Sequence, residues 1–491
     1  MRVILAGYNV DLDGLKESKS KKVVLTPESI SAAYARISRS PKSIEVLREK
    51  ARHEIAKARA SNRNIIFEMG HHSVAEHAVF NFDIIGLSRR AIEELEKFRL
   101  CSYTEKSQRY VTLKGDYVVP REIENKALRR EFRSMIRKQN RCYVLLYEKI
   151  KAHNFKRFPS HTKTSKGRRD LANLAKEDAR YILSLATQTQ VGATINARNL
   201  ELMIRRFASH PLSEMQELGM KFFKLVKKIA PSILLFCDAN DYDKSTYPEI
   251  AKHVHGLDCG EIEKRAKDVE LVECTIDGDD RILAALLFKV SGRSYNACQK
   301  TVKKMSKKKK LDLFKKACAH LELYDVMLRE FEYANLSYAL IVSSGCFGQL
   351  KRHRVASMTW SDYDPGLGVT IPESVWAVGE EKRFLEIAEE TNRLFEKIEK
   401  HYPGIGSYVL TNAHRRRVLM SVNLRELYHI SRLREDPTAQ WDIRDKAQQM
   451  SLLAKQALPL TTKLLGGKSE YPKVYQRLYG RYPKVREVPL P

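Results

Sequence analysis

A chain of 491 residues with 43% hydrophobic side chains is long enough for two or three domains with real cores, which excludes a disordered polar tail. Its longest apolar run, Ile282 to Phe288, is far short of the roughly 18–20 residues that a membrane span needs. The formal net charge of +28 favours anionic partners, and the eight cysteines never form a CxxC pair, so neither a zinc ribbon nor a disulfide framework is expected.

The opening Met1-Arg-Val-Ile-Leu-Ala-Gly-Tyr-Asn lacks the apolar core of a signal peptide and predicts a strand around Val3–Ala6. A soluble, cytoplasmic protein is expected. Ile30-Ser-Ala-Ala-Tyr lies in a helical pattern, and Ala78–Ile85 alternates as a strand does. The basic stretch Lys156–Arg169, with its Ser, Thr, Pro and Gly, predicts an inserted loop near residues 150–172. Asp, Asn, Gly and Pro gather between Asp238 and Lys267, which predicts a linker over 241–265. Beyond it Ile282-Leu-Ala-Ala-Leu repeats the Ile30 pattern, and Ser337–Val342 predicts a strand. Gln349 and Arg352, three apart, would share a helix face, as would Arg425 and His429, four apart. The loop after Arg354 carries Asp364-Pro-Gly, a turn that ends the helical stretch.

The chain is also written twice. Glu94-Leu-Glu-Lys97-Phe98-Arg99, followed by Glu105, Ser107, Gln108 and Arg109, aligns with Gln349-Leu-Lys-Arg352-His353-Arg354, followed by Trp360, Asp362 and Asp364. In both copies the arginine motif is expected to pass from helix to loop. Further on, Arg180 aligns with Ser407, and Asn196-Ala-Arg198 with Asn423-Leu-Arg425. The copies are offset by 255 residues at Arg99 and Arg354 but by 227 at Asn196 and Asn423, so the first half carries an insertion of 28 residues. The expected fold is α/β in the broad sense (α+β): two repeated domains, 1–240 and 266–491, each a mixed sheet packed with helices, facing each other as a pseudo-dimer.

These residues resemble the flavin-dependent thymidylate synthase family (ThyX), whose signature is Arg-His-Arg, seven residues, then Ser. Arg352-His353-Arg354 supplies the first part, with Asp362 at the Ser position. Arg99 and Ser107 keep the spacing, with Lys97-Phe98 before them. Gly70-His71-His72-Ser73-Val-Ala-Glu76-His77 looks like the family's Gly-His-x-Ser-x-x-Glu-His segment, and Asn423-Leu-Arg425…His429…Arg434 looks like its C-terminal segment. The resemblance implies conversion of dUMP to dTMP, with FAD as cofactor and NADPH and 5,10-methylenetetrahydrofolate as co-substrates. It also implies sites shared between subunits. By that resemblance Glu105, Ser107, Gln108, Arg109 and Arg180 would hold dUMP with Gln349, Arg352 and Arg434, and Arg434 would be catalytic, stabilising charge that develops on the uracil. Ser73, Glu105, Arg352, His353, Arg354, Asn423, Arg425 and His429 would hold FAD.

The two copies are damaged in complementary places. Gln349, Arg352, His353, His429 and Arg434 face Glu94, Lys97, Phe98, Leu202 and Phe207 in repeat one, while Glu105, Ser107, Arg109 and Arg180 face Trp360, Asp362, Asp364 and Ser407 in repeat two. The implied site is therefore composite, and a homodimer of the chain would mimic the family's tetramer.

Each motif also has an ordinary explanation. Arg-His-Arg complements a helix C-terminus, and Glu105-Lys-Ser-Gln-Arg109 suits an exposed polar turn. Adjacent His71 and His72 point apart on a helix, so no metal site is expected. Cys101 and Gln440-Trp441 suit packing. The basic blocks at 156–169, 303–310 and 414–417 suit solvated surface; nucleic acid is not the favoured partner, because only Phe155 and Phe158 lie near the cations. A lapsed relative that binds flavin or nucleotide without turnover, and a nucleic-acid-binding protein, are the competing functions.

Overall fold

The computed structural model describes residues 1–20, 23–111, 115–254, 257 and 267–484. The chain forms two compact units, Met1–Glu261 with Pro372–Thr411, and Ile262–Ile371 with Asn412–Pro491. This division does not follow the repeat: residues 372–411, part of the second repeat by sequence, pack within the first unit.

In the first unit, β1 (Arg2–Tyr8), β2 (Val79–Ser88), β3 (Ser102–Glu105) and β4 (Gln188–Asn196) form a sheet in the order β1-β2-β4-β3. Phe80, Phe82 and Ile84 of β2 are buried and Asn81 and Asp83 exposed, the alternation of a strand with one covered face. At its end a bulge between Ile85 and Leu87 is taken by Gly86 at φ +80°, a backbone state that disfavours a side chain. Ser88 then caps helix Arg89–Leu95 by accepting the Ala91 N–H at 3.0 Å.

Helix Lys126–Arg157 starts at Asn125, whose side chain accepts the N–H groups of Ala127 and Leu128 at 2.9 and 3.0 Å. It buries Leu128, Phe132, Ile136, Leu146 and Ile150 along one face. Helix Glu381–His401 lies against it, with Gln139 Nε2 donating to Thr391 Oγ1 at 2.9 Å and to the Val409 carbonyl at 3.0 Å. Nearby, the Leu185 and Ala186 N–H groups donate to the carbonyls of Leu410 and Tyr408 at 2.8 and 2.9 Å. Within this unit, then, equivalent segments of the two repeats run alongside each other.

The second unit repeats the plan. β5 (Val269–Cys274), β6 (Asn335–Ser343), β7 (Ser357–Trp360) and β8 (Arg415–Asn423) are ordered β5-β6-β8-β7. Helices Gly278–Ser291, Leu424–Arg434 and Trp441–Ala457 contribute Leu283, Leu427 and Met450 to its core.

The α+β class holds, and the expected strands at Val3–Ala6, Ala78–Ile85 and Ser337–Val342 all form. Among the described residues every strand pairing is antiparallel rather than mixed, in keeping with the alternating burial along β2, β4 and β8. Three local expectations need correction. Helix Ser344–Leu350 ends before Arg352, so Gln349 and Arg352 do not share a helix face. The stretch after each arginine motif contains a short strand, β3 or β7, that pairs with β4 or β8. The basic stretch Lys156–Arg169 is not a loop: it is the end of one helix, a 3-10 turn at His161–Lys163 and the start of helix Ser165–Ala179. Its Thr and Gly, which suggest a loop, have other work. Thr164 caps the helix, and a Cβ on Gly167 would stand 1.9 Å from the His161 carbonyl oxygen. Helix Asp241–Val254 occupies part of the expected linker, most of whose remainder lies outside the described residues. Among the described residues no helix is long and apolar enough to cross a membrane.

Candidate functional site

The residues kept by repeat one meet at the end of β3 in the first unit. The Glu105 side chain is almost fully buried; it pairs with Arg89 and accepts from Thr189 Oγ1 at 3.1 Å. The Ser107 hydroxyl accepts the Arg109 N–H at 3.2 Å, which folds the turn that presents Arg109. Arg109 in turn pairs with Glu177. Arg180 follows helix Ser165–Ala179 directly, is buried, and donates from Nε to the Glu177 carbonyl at 3.2 Å. Burial lowers the pKa of the Arg180 guanidinium, and the neighbouring charges of Arg89 and Arg109 lower it further, against the opposing effect of Tyr181 and Glu177. An anion arriving here would relieve that repulsion. Gln108 is buried beside Arg109. Ser73 lies exposed on the 3-10 turn His72–His77.

The residues kept by repeat two form a connected group in the second unit. Gln349 is buried, donates from Nε2 to Gln440 Oε1 at 3.3 Å, and accepts from Arg434 Nη2 at its carbonyl, also at 3.3 Å. Arg434 Nε donates to His353 Nε2 at 2.9 Å, and His353 Nδ1 faces Glu426 Oε1 at 3.4 Å. Burial pushes the His353 pKa below the ordinary imidazole value and Arg434 adds to this, against the pull of Glu426. A neutral ring with its proton on Nδ1 satisfies both contacts. His429 packs edge-on against His353 at 5.9 Å. Arg352 and Arg354 are exposed on the turn just before β7. Arg425 pairs with Glu332 at 2.7 Å, and Asn423 caps helix Leu424–Arg434 through the Glu426 N–H at 2.9 Å.

His353, Glu426 and His429 bring potential ligand atoms within 4.8 Å of one another, although no metal site is expected from the sequence. The Nε2 of His353 already accepts from Arg434, and a guanidinium there opposes a cation.

In repeat one the matching positions are closed by their own side chains. Glu94, in the place of Gln349, is buried and bound by Arg90 at 2.6 Å, by His210 at 3.2 Å and by Lys97. Burial alone would raise its pKa, but Arg90, His210 and Lys97 outweigh burial and hold the carboxyl well below its usual range. Phe98 and Phe207, in the places of His353 and Arg434, pack edge-to-face at 5.6 Å. Arg90 Nε also donates to Ser407 Oγ at 3.1 Å. Ser407 is the repeat-two counterpart of Arg180, so this closed site contains residues of both repeats.

Arg89, Glu177, Glu426 and the role of Gln440 escape sequence reasoning. Gln440 caps helix Trp441–Ala457 through the N–H groups of Asp442 and Ile443 and steadies Gln349, rather than serving as simple packing. No periodicity marks Arg89 or Glu177, whose partners lie 16 and 68 residues away.

A family model described as "Thymidylate synthase complementing protein" matches residues 22–232 and again 270–460. A flavin-dependent thymidylate synthase of Geobacter sulfurreducens is 32% identical over 212 residues, 42% of this chain and 80% of that protein. A UPF0159 protein of Chlamydia muridarum is 24% identical over 415 residues, 81% of this chain and 78% of its own length. Among solved structures, thymidylate synthase X from Helicobacter pylori with FAD and dUMP is 21% identical, with 48% of this chain and 99% of that chain covered and a TM-score of 0.31.

Proposed function

Since the chain belongs to the family of thymidylate synthase complementing proteins, with the family domain present twice in tandem, we propose that it is a flavin-dependent thymidylate synthase. It would convert dUMP to dTMP with 5,10-methylenetetrahydrofolate as carbon donor and NADPH as reductant, in the cytoplasm where these are found. The observation that carries this reading is the complementary loss: each position of the nucleotide site survives in one repeat and lapses in the other. The Arg90–Ser407 hydrogen bond supports it, because the lapsed site in the first unit draws on both repeats. A homodimer of the chain would then hold two working and two lapsed sites.

The donor sets suit the ligands. Arg109, Arg180 and the Ser107 hydroxyl fit a dianionic phosphate, because guanidinium forks match its oxygens. Exposed Arg352 and Arg354, with His429 nearby, offer donors to the diphosphate of FAD, which when bound supplies the hydride. Ser73, Glu105, His353, Asn423 and Arg425 complete the proposed cofactor set. Gln349 and Arg352 would orient the pyrimidine.

Arg434 has the most constrained role. His353 takes its Nε–H and the Gln349 carbonyl takes an Nη2–H, so the plane of the guanidinium is set before substrate arrives. Such a preorganised cation stabilises negative charge that grows on the uracil without moving a proton. His353 must stay neutral to accept from Arg434, and its burial favours that state. Glu105 is itself held by Arg89 and Thr189, which fixes the loop that carries Ser107 and Arg109.

The test is tritium release from C5-labelled dUMP by the purified protein with FAD, NADPH and methylenetetrahydrofolate. Release with matching dTMP formation is expected. A folded, flavin-bearing protein that releases none would overturn the proposed turnover and favour a lapsed, ligand-binding relative.

A further inference from the structure

Nearly half of the chain's +28 charge is concentrated in one short stretch. Residues 126–169 contain fifteen Lys or Arg against two Glu. The structure sorts these cations into two sets. Lys138, Lys149 and Lys151 pair with Glu390, Glu380 and Glu148, and Glu131 is matched by Lys397. Arg130, Arg133, Arg137 and Arg141 are all exposed, and among the described residues no carboxylate pairs with any of them. Their spacings of three, four and four residues place them in a single row on helix Lys126–Arg157, with steps of about 4.5–6 Å. The surface continues with exposed Lys156 and Arg157 at the helix end and with Lys163, Lys166, Arg168 and Arg169 beyond it. Two aromatic rings stand among these cations: Phe158, which has the Arg157 guanidinium 5.4 Å from its centre, and His161, edge-on to Phe158 at 6.0 Å.

We propose that this face of helix Lys126–Arg157, with the turn at 156–169, binds a single-stranded nucleic acid through its phosphates. Like charges gathered on one face repel each other and cost stability unless a polyanion or salt offsets them. A row of arginines, rather than lysines, offers planar forks that suit phosphodiester oxygens. The exposed rings at the turn give unpaired bases a surface on which to stack. A lipid surface fits less well, because the apolar face of this helix is buried in the core and cannot enter a membrane. None of these residues belongs to the proposed nucleotide site, so the proposal stands apart from the synthase reading.

The test is fluorescence anisotropy of the full chain with labelled single-stranded RNA, and DNA of the same sequence, of about 20 nucleotides. Salt would be varied from about 50 to 300 mM. The two strands share the chemistry, and a preference between them identifies the source. Binding is expected to weaken log-linearly with salt. Changing Arg130, Arg133, Arg137 and Arg141 together to Gln, a comparable helix former, should lower affinity at least about tenfold and reduce the salt slope by about 3. Turnover of dUMP should be unchanged. Changing Lys163, Lys166, Arg168 and Arg169 to Gln should weaken binding independently. No binding at the lowest salt would overturn the proposal, as would full binding by both variants. Poly-L-glutamate of equal charge competing as well as RNA would also overturn it, in favour of an acidic protein partner.

Discussion

The two repeats share a strand order and differ in what their helices hold. In both, the last strand of the sheet in chain order, β4 or β8, ends in an Asn that caps the helix after it: Asn196 through the Asn199 N–H at 3.0 Å, and Asn423 through the Glu426 N–H at 2.9 Å. In both, an Arg two residues later pairs with a Glu from the 3-10 turn that precedes β2 or β6, Arg198 with Glu76 at 2.6 Å and Arg425 with Glu332 at 2.7 Å. These contacts are present in both copies, so they serve the fold in addition to any part that Asn423 and Arg425 play in the proposed cofactor set. What differs is the pair behind the arginine motif. His353 and Arg434 form a polar contact in repeat two, while Phe98 and Phe207 form an apolar one in repeat one. Scaffold and chemistry can therefore be separated within one chain.

The sharpest way to break this comparison is to remove the proposed working cations. Arg434→Ala and Arg109→Ala should each lower kcat/KM by about 100-fold or more, the usual scale for losing a preorganised donor or charge. Asp364→Ala, at the lapsed counterpart of Arg109, should leave turnover within about twofold; steady-state kinetics decide, and equal losses at all three would refute the division of labour. The lapsed site should instead matter for stability. Phe207 is fully enclosed in the first core, so Phe207→Ala should cost about 3–5 kcal/mol in denaturant unfolding, while turnover per folded molecule is retained. Flavin content tests the same contrast more directly. Glu94 with Arg90, and the Phe98–Phe207 pair, occupy the positions equivalent to the Gln349, His353 and Arg434 group, so absorbance of the holoprotein should give one FAD per chain; two would show that repeat one also binds.

The smallest effect concerns pH. Burial holds the folded-state pKa of His353 below the unfolded value of about 6.5. Above that value both states are neutral and the group does not affect stability. Below it the unfolded chain binds the proton more readily, so stability should fall as pH drops from about 6.5 through the folded pKa. Thermal melts across this range should show the loss, and His353→Gln should flatten it.

Much of the fold was legible along the chain. The strand patterns of Ala78–Ile85 and Ser337–Val342 match β2 and β6, and the doubled arginine motif goes with two four-stranded sheets of equivalent strand order. The end of helix Ser344–Leu350 leaves no mark in the sequence, because Gln349 and Arg352 have helical spacing, yet the chain turns after Leu350 and the next residues feed β7. The basic stretch at 156–169 has the composition of a loop, yet its Thr164 is a helix cap and its Gly167 a close-approach residue. Around the candidate site, Gln349, His353 and Arg434 were named from their motif and do lie together. Arg89 and Glu177 were not named, because an ion pair between distant residues leaves no local period.

By itself the sequence determined that this protein is a tandem duplication, which residues each copy retained, and where the excess positive charge lies, because identity, order and charge are carried residue by residue. Only the tertiary structure decided that residues 372–411 pack within the first unit, that Asn423 and Asn196 are helix caps, and that Glu94 is held by Arg90 and His210. Those outcomes depend on which side chains meet across long stretches of chain, where burial and pairing rather than local propensity set the lowest free energy.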